Sequence, residues 1–510
     1  QADSADVFKT AKVNAKRDVD LSFPATIKTG LMVQEQTRDI RKPNGSYTFV
    51  GPDGLPNTAD DLASNYQIVD SSYSRESAPY GLPQVQWPSP YAVYSLFREH
   101  PDYFQLNQVG LLQNSMRNSQ FIDERISAAY VLVDTRLLNN RLRMVYGFRA
   151  ERTDDDVRGF LQDVNAIFQR DAGGNFLLDA AGHRVPITAP NGLPITDPSN
   201  ALLLNQTEFR DRGLRAKNHY AGGFPSLNLT YSISDNFIAR AAYSRATGRP
   251  DFGNIVPGTA LPDPSSANPY AITVNNPALA PEFDDNYDLD LDYYFGRVGL
   301  LSVGLFRKDF RNFFGTSTIP ATAELLGSLG VPDADFYLQN DATVTTHFNV
   351  GKARVTGVQL DYKQALTFLP VPGFSVFTSG YAVHLQGSPL ADFTNFISKA
   401  FNAGVSYDRR QFGVKLNFNY RGTQRYGSTT YTDSAGTKVV SYEYYKPRPQ
   451  LDLNFDYRFT PHLGLFVAAR NITNVVQDDQ RYAPAMPGFT HLYRREEFGT
   501  QYTAGFKGEF

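Results

Sequence analysis

Between Leu451 and Phe459 the chain reads Leu-Asp-Leu-Asn-Phe-Asp-Tyr-Arg-Phe, apolar and polar in unbroken alternation. Side chains along a β-strand point to opposite faces with a period of two. One face of this strand is therefore Leu451, Leu453, Phe455, Tyr457 and Phe459, and the other is Asp452, Asn454, Asp456 and Arg458. Tyr287–Tyr293 repeats the pattern, with Tyr and Leu against Asp288, Asp290 and Asp292, and Val414–Tyr420 repeats it again. The period recurs along the whole chain and predicts about fifteen strands. They span 8–17, 25–40, 118–136, 140–152, 216–233, 236–249, 283–295, 298–313, 350–368, 373–386, 395–408, 411–425, 448–460, 463–476 and 498–510.

The connections alternate between short and long. Leu138-Asn139-Asn140, Ser234-Asp235-Asn236, Gly296-Arg297, Asp408-Arg409-Arg410 and Thr460-Pro461-His462 have the chemistry of tight reversals. The others cover 41–117, 153–215, 250–282, 314–349, 387–394, 426–447 and 477–497, and only 387–394 is compact. Short turns at one end and long loops at the other are the habit of bacterial membrane barrels, with the long loops outside. A soluble half-buried sheet accounts for any one strand but not for this asymmetry. The expected fold is all-β, an antiparallel transmembrane β-barrel with long extracellular loops. Its last strand finishes at Phe510 on the periplasmic side, so the first enters from outside. Barrels of this class begin and end in the periplasm with an even strand number, so about fifteen strands predict further N-terminal ones.

Composition fits this reading. The 510 residues include 39 Gly, 30 Tyr and 37 Phe but one Trp. No apolar run is long enough for a membrane helix, while barrel strands expose only alternate residues to lipid. Tyr293, Tyr294, Tyr457 and Phe459 lie at strand ends beside short turns, where an amphipathic ring suits the headgroup level; strand propensity alone is the plainer reading. A net charge of −3 gives no reason to expect nucleic acid. With no Cys, disulfides and thiolate metal sites are excluded. Gln1–Val7 has neither a basic nor an apolar region and does not read as a signal peptide.

Four segments carry a resemblance. Phe224-Pro225-Ser226-Leu227-Asn228-Leu229 leads to Ile238–Pro250. Asn276–Glu282 precedes Asn286-Tyr287-Asp288. Arg354-Val355-Thr356-Gly357-Val358-Gln359-Leu360 and Ala469-Arg470-Asn471-Ile472-Thr473-Asn474 follow. In order and spacing they resemble the C-terminal barrel of TonB-dependent outer-membrane receptors over roughly 220–510, and 1–215 resembles it more weakly. Tyr502, Phe506 and Phe510 look like the terminal signal read by the barrel assembly machinery. The resemblance implies a barrel of about 22 strands in the bacterial outer membrane, with an N-terminal plug, driven by the inner-membrane TonB complex. The whole of 1–510 then reads as the C-terminal portion of the barrel, without plug or energy-coupling box. The implied function is energy-coupled uptake of a siderophore, oligosaccharide or similar nutrient. A passive porin-like channel and a soluble or surface glycan-binding β-protein are the alternatives.

No motif argues for catalysis, and no cofactor is expected. Ligand recognition belongs on the long loops. Trp87, Tyr91, Tyr94 and Arg98 offer one candidate surface, the last three spaced for one face of a short helix; a hydrophobic cluster pinning the loop is the plainer reading. Tyr426, Tyr431, Tyr442, Tyr444 and Tyr445 invite the same two readings. Arg249, where a strand meets a long loop, faces either the lumen or an ion pair such as Asp251. The stretch 51–61 brings together Asp53, Asn57, Asp60 and Asp61, oxygen ligands suited to calcium or to a plain Asx- and Gly-rich turn.

Overall fold

A computed structural model gives the fold. It describes residues 3–20, 22–77, 83–262, 270–296, 298–329, 331, 334–388, 391–432, 438–484 and 486–508, with the backbone alone at 260, 317, 328, 430–432 and 438. Arg297 and Phe510, both singled out above, lie outside the described residues.

The described residues form one large antiparallel sheet of fifteen strands in which every wall strand pairs with the next along the chain. The first six are Asp3–Asp20, Pro24–Arg41, Gln120–Leu137, Leu142–Gln162, Phe209–Ser234 and Phe237–Gly248. Glu282–Tyr294, Gly299–Arg311, Ala353–Ala365, Phe374–Gly387 and Lys399–Arg409 follow, then Phe412–Arg421, Arg448–Thr460, Leu463–Arg470 and Gln501–Gly508. Each of the fifteen segments legible as a strand is one. Among the described residues Asp3–Asp20 pairs only with Pro24–Arg41, and Gln501–Gly508 only with Leu463–Arg470.

Register follows the alternation. Leu289 lies opposite Leu305 and Ala241, and Asp290 opposite Gly304 and Arg240, so one face collects Leu and Tyr and the other Asp, Ser and Arg. Leu289, Leu305, Val358 and Phe401 on the apolar face are all exposed. On the polar face Ser302 donates to Asp292 at 2.6 Å, Arg240 pairs with the same carboxylate, and Asn419 donates to Asp452 at 2.9 Å. At the short-turn end rings band the apolar face: Phe237 against Tyr293, Phe374 against Tyr407, Tyr457 against Phe412 and Phe459. Leu138, Asn139 and Asn140 all take positive φ (51°, 54° and 68°), a conformation Asn tolerates better than most residues.

Boundaries differ from the sequence reading where periodicity fails. The loop expected over 153–215 is shorter, because its flanking strands run to Gln162 and begin at Phe209. There both faces are polar; Arg152 pairs with Asp154 and Arg215 with Asp156 outside the apolar band. Backbone pairing continues where the apolar period has stopped. The strand expected over 463–476 ends at Arg470. Asn471 turns the chain with φ 55°, buried and bonded by its side chain to Val475 and Gly499.

The long loops carry their own core. Loops 249–281 and 312–352 share a four-stranded sheet built from Thr259–Ala260, Ala271–Val274, Phe314–Pro320 and Thr343–Asn349. Ile272, Leu326, Tyr337 and Val344 are fully buried around it. Loop 249–281 also lies on the polar face of the wall, where Ile255 and Val256 pack against Ile122 and Val157.

Candidate functional site

The connections 422–447 and 471–500 form a second four-stranded sheet at the long-loop end, from Gln424–Thr432, Lys438–Tyr445, Gln477–Tyr482 and Leu492–Glu496. Four of the tyrosines expected to line a binding loop come together here. Tyr426 stacks on Tyr445 with ring centroids 4.1 Å apart, Tyr444 meets Tyr482 edge-on at 5.5 Å, and Arg425 lies over Tyr442. Tyr431 is on the same hairpin opposite Val439, and its side chain lies outside the described set. His491 and Tyr493 extend the cluster, packing on Tyr482 and under Arg481.

Ion pairs stiffen this sheet. Arg494 meets Asp479 at 2.7 Å, Arg495 meets Asp478 at 2.6 Å, Arg425 meets Asp392 at 3.1 Å, and Arg481 pairs with Glu443. The Arg495 hydrogen bond holds the Asp478 carboxyl below its usual range. Burial pushes the Tyr426 phenol up to about 12, and the carboxylates of Asp479 and Glu443 add to the rise. Tyr426 is therefore a neutral hydrogen-bond donor at physiological pH.

Beneath this mouth the polar wall opens into a concavity of about 470 Å³. Gln359, Tyr381, Asn402, Arg421, Arg448 and Gln450 line it. Arg421 and Arg448 sit directly opposite each other on neighbouring strands. Sequence reasoning missed this pair. The available signal was parity: Asn419 and Arg421, and Arg448 and Gln450, fall on the polar side of adjacent alternating strands.

Trp87, Tyr91, Tyr94 and Arg98 are on a different loop, 42–119. Helix Pro90–Glu99 is capped by the Ser89 hydroxyl, which accepts from the Ala92 amide, and has Pro at its first position. Tyr91, Tyr94 and Arg98 share its exposed side, Tyr91 87% exposed, and Trp87 just before it is exposed too. Other rings pin the loop: Phe97 packs on Tyr47 and Phe104, and Phe49 on Tyr66 and Phe104.

Arg249 points onto the polar face and pairs with Glu151, with Glu124 at 3.9 Å. The expected Asp251 partner is replaced, because Asp251 instead caps the short helix Phe252–Ile255 by accepting from the Gly253 amide. Glu124 and Asp155 are buried beside Arg249 under loop 249–281.

In the stretch 51–61 the carboxylates serve the turn. Asp53 accepts from the Leu55 amide, Asp61 from the Thr58 amide and Asp60 from the Thr58 hydroxyl. Asn57 takes φ 64°. One oxygen each of Asp60 and Asp61 stays unpartnered, against the six to eight oxygens calcium takes. Among the described residues no group of three or more acidic or His side chains is placed to hold a metal. Tyr502 and Phe506 are exposed on the apolar face of the last strand.

A family described as TonB dependent receptor-like, beta-barrel matches residues 3–472. Among solved structures, the closed form of the ferric-catecholate import receptor Fiu from E. coli K12 superposes with a TM-score of 0.53 at 13% identity, over 99% of this chain and 55% of that one. A mutant of the ferric enterobactin receptor PfeA of Pseudomonas aeruginosa, in complex with enterobactin, gives 0.53 at 14%, over 100% and 55%. The siderophore receptor PiuA of Acinetobacter baumannii gives 0.51 at 13%, over 99% and 56%. The chain thus spans little more than half the length of these structures. No curated protein matches by sequence.

Proposed function

The chain belongs to the TonB-dependent receptor β-barrel family, and on that premise we propose that it is the wall and outer loops of an outer-membrane receptor that takes up a large nutrient. The nutrient is a siderophore, an oligosaccharide or a comparable solute. The long loops face outside and capture it, and the polar face lines the path inward. Energy comes from the inner-membrane TonB complex acting on the plug of the whole protein. The outward apolar face contacts lipid, and the terminal strand carries the signal for the barrel assembly machinery. The protein is a receptor of this family and not an enzyme.

The observation that carries the reading is the mouth of stacked tyrosines and arginines above a polar wall with its own concavity. Rigid aromatic faces bind sugars and catechol-type rings at low entropic cost. Carboxylates and amides on the wall offer a moving ligand successive weak hydrogen bonds, so no single site traps it.

The test is uptake by cells carrying or lacking the gene, from a panel of labelled nutrients, with and without a proton ionophore. The reading requires saturable uptake that the ionophore abolishes. Uptake that persists under the ionophore identifies a passive channel. A chain that stays in solution without detergent and binds glycans identifies a soluble β-protein.

A further inference from the structure

We propose that Arg421 and Arg448, side by side in the polar wall beneath the tyrosine mouth, form an anion subsite for a carboxylate or phosphate group of the captured nutrient. This rests on the receptor reading and narrows its substrate class.

The two residues face each other across neighbouring strands, where like charges directly opposite repel. Other arginines around them have a carboxylate: Arg425 has Asp392, Arg481 has Glu443, Arg494 has Asp479 and Arg495 has Asp478. Arg421 and Arg448 form no ion pair among the described residues. Arg421 donates instead to the neutral Gln477 Oε1 at 2.6 Å and lies 5.1 Å over the Tyr445 ring. Arg448 lies 5.4 Å over Phe498. The Nε of each is buried without an acceptor.

Nearby carboxylates neutralise the pair only in part: the buried Asp479 charge acts on Arg421 but makes no ion pair with it. Asp479 is held through Oδ2 by Arg494. Asp452 accepts from Asn419, Gln450 and the Asn471 amide. Two positive charges kept adjacent, desolvated on one side by rings and facing a 470 Å³ concavity, leave donors for an incoming anion. A planar guanidinium fork matches carboxylate and phosphate oxygens two at a time, which an ammonium cannot do. Gln359, Asn402 and Gln450 around them are uncharged amides, suited to the polar remainder of the ligand. The nutrient is accordingly an anionic one, a polycarboxylate or phosphate-bearing solute, in preference to a neutral saccharide.

The experiment titrates the detergent-solubilised full-length receptor with malonate, inorganic phosphate or sucrose at constant ionic strength, following the thermal unfolding midpoint. Malonate or phosphate should raise the midpoint saturably and sucrose at equal concentration should not. The two anions together separate a carboxylate site from a phosphate site. Arg421→Gln with Arg448→Gln should weaken the anion response by about tenfold or more. Arg421→Lys with Arg448→Lys, which keeps the charge if the first variant fails to fold, should also weaken it. An anion response unchanged in the Lys pair, or absent from the unmodified protein, overturns the proposal. Absence of the response from the unmodified protein, with ionophore-sensitive uptake intact, sinks the subsite alone, whereas anion binding without energy-dependent uptake sinks the receptor reading.

Discussion

Gly159→Ala should free loop 249–281 from the wall. A Cβ at 159 would sit 1.8 Å from the Pro257 carbonyl oxygen and 2.9 Å from both the Pro257 carbonyl carbon and Val256 Cγ1. Its obstacle is backbone, which cannot swing aside as a side-chain tip does. The loop must retreat by more than an ångström, and the contacts it loses are those of Ile255 and Val256 with Ile122 and Val157. Exposing two such side chains fully costs about 1.5–3 kcal/mol each, a ceiling of about 3–6 kcal/mol. A partial retreat with overpacking strain is worth about 2–3 kcal/mol, which raises the open population of the loop by about 30- to 150-fold. The interlocked sheet with loop 312–352 should keep the far end of the loop in place. Hydrogen exchange reads this directly at the Val256 amide, bonded to Phe252 O, and the Asn276 amide, bonded to Asn254 O. Gly488→Ala, whose Cβ would meet nothing within 4 Å, is the control. Loop amides of Gly159→Ala exchanging at the rate of the unmodified protein would refute the packing argument.

Three further outcomes follow from local geometry. Asn471→Ala removes three side-chain hydrogen bonds at a buried position of positive φ, so its urea unfolding free energy should fall by about 2–4 kcal/mol; a loss within error of zero contradicts the turn. Tyr426, with its phenol raised from 10.0 to about 12, contributes stability that is fully present below pH 10 and lost as pH rises through about 12. Absorbance titration at the tyrosinate band should therefore lose a component near pH 12 in Tyr426→Phe, and an unchanged titration curve argues against the buried placement. Calcium should leave the protease sensitivity of 51–61 unaltered, since Asp53, Asp60 and Asp61 are already engaged as turn acceptors; calcium-dependent protection would restore the ion-site reading.

The wall was legible because its physics is local. Leu451–Phe459 states its two faces in nine residues, and neighbouring strands lie in register with like faces together. The upper strand ends were not legible, because Arg152, Asp154 and Asp156 put charge on the face that is apolar lower down, while Glu151, Thr153 and Asp155 keep the other face polar. The loop core was hidden for another reason. Ile272, Leu326, Tyr337 and Val344 come from segments far apart in sequence with no shared period, and only the folded chain brings them together. The same holds for the site. Tyr rings at 426–445 announced themselves by density, whereas Tyr482, His491 and Tyr493 join them through a partner hairpin. Arg249 shows the limit of neighbour reasoning: Asp251, two residues on, is used by a helix cap, and the ion pair is made with Glu151, 98 residues away.

The central claim is that one face of this sheet meets lipid and the other an aqueous interior. These 510 residues contain no cysteine, so an introduced one is the single thiol of this wall. Leu289→Cys and Asp290→Cys place adjacent thiols on opposite faces of one strand, to be challenged with a hydrophilic maleimide on native outer membranes. The account predicts rapid labelling at 290, resistance at 289, and equal labelling of both after denaturation. Equal labelling of both in the native membrane would contradict it.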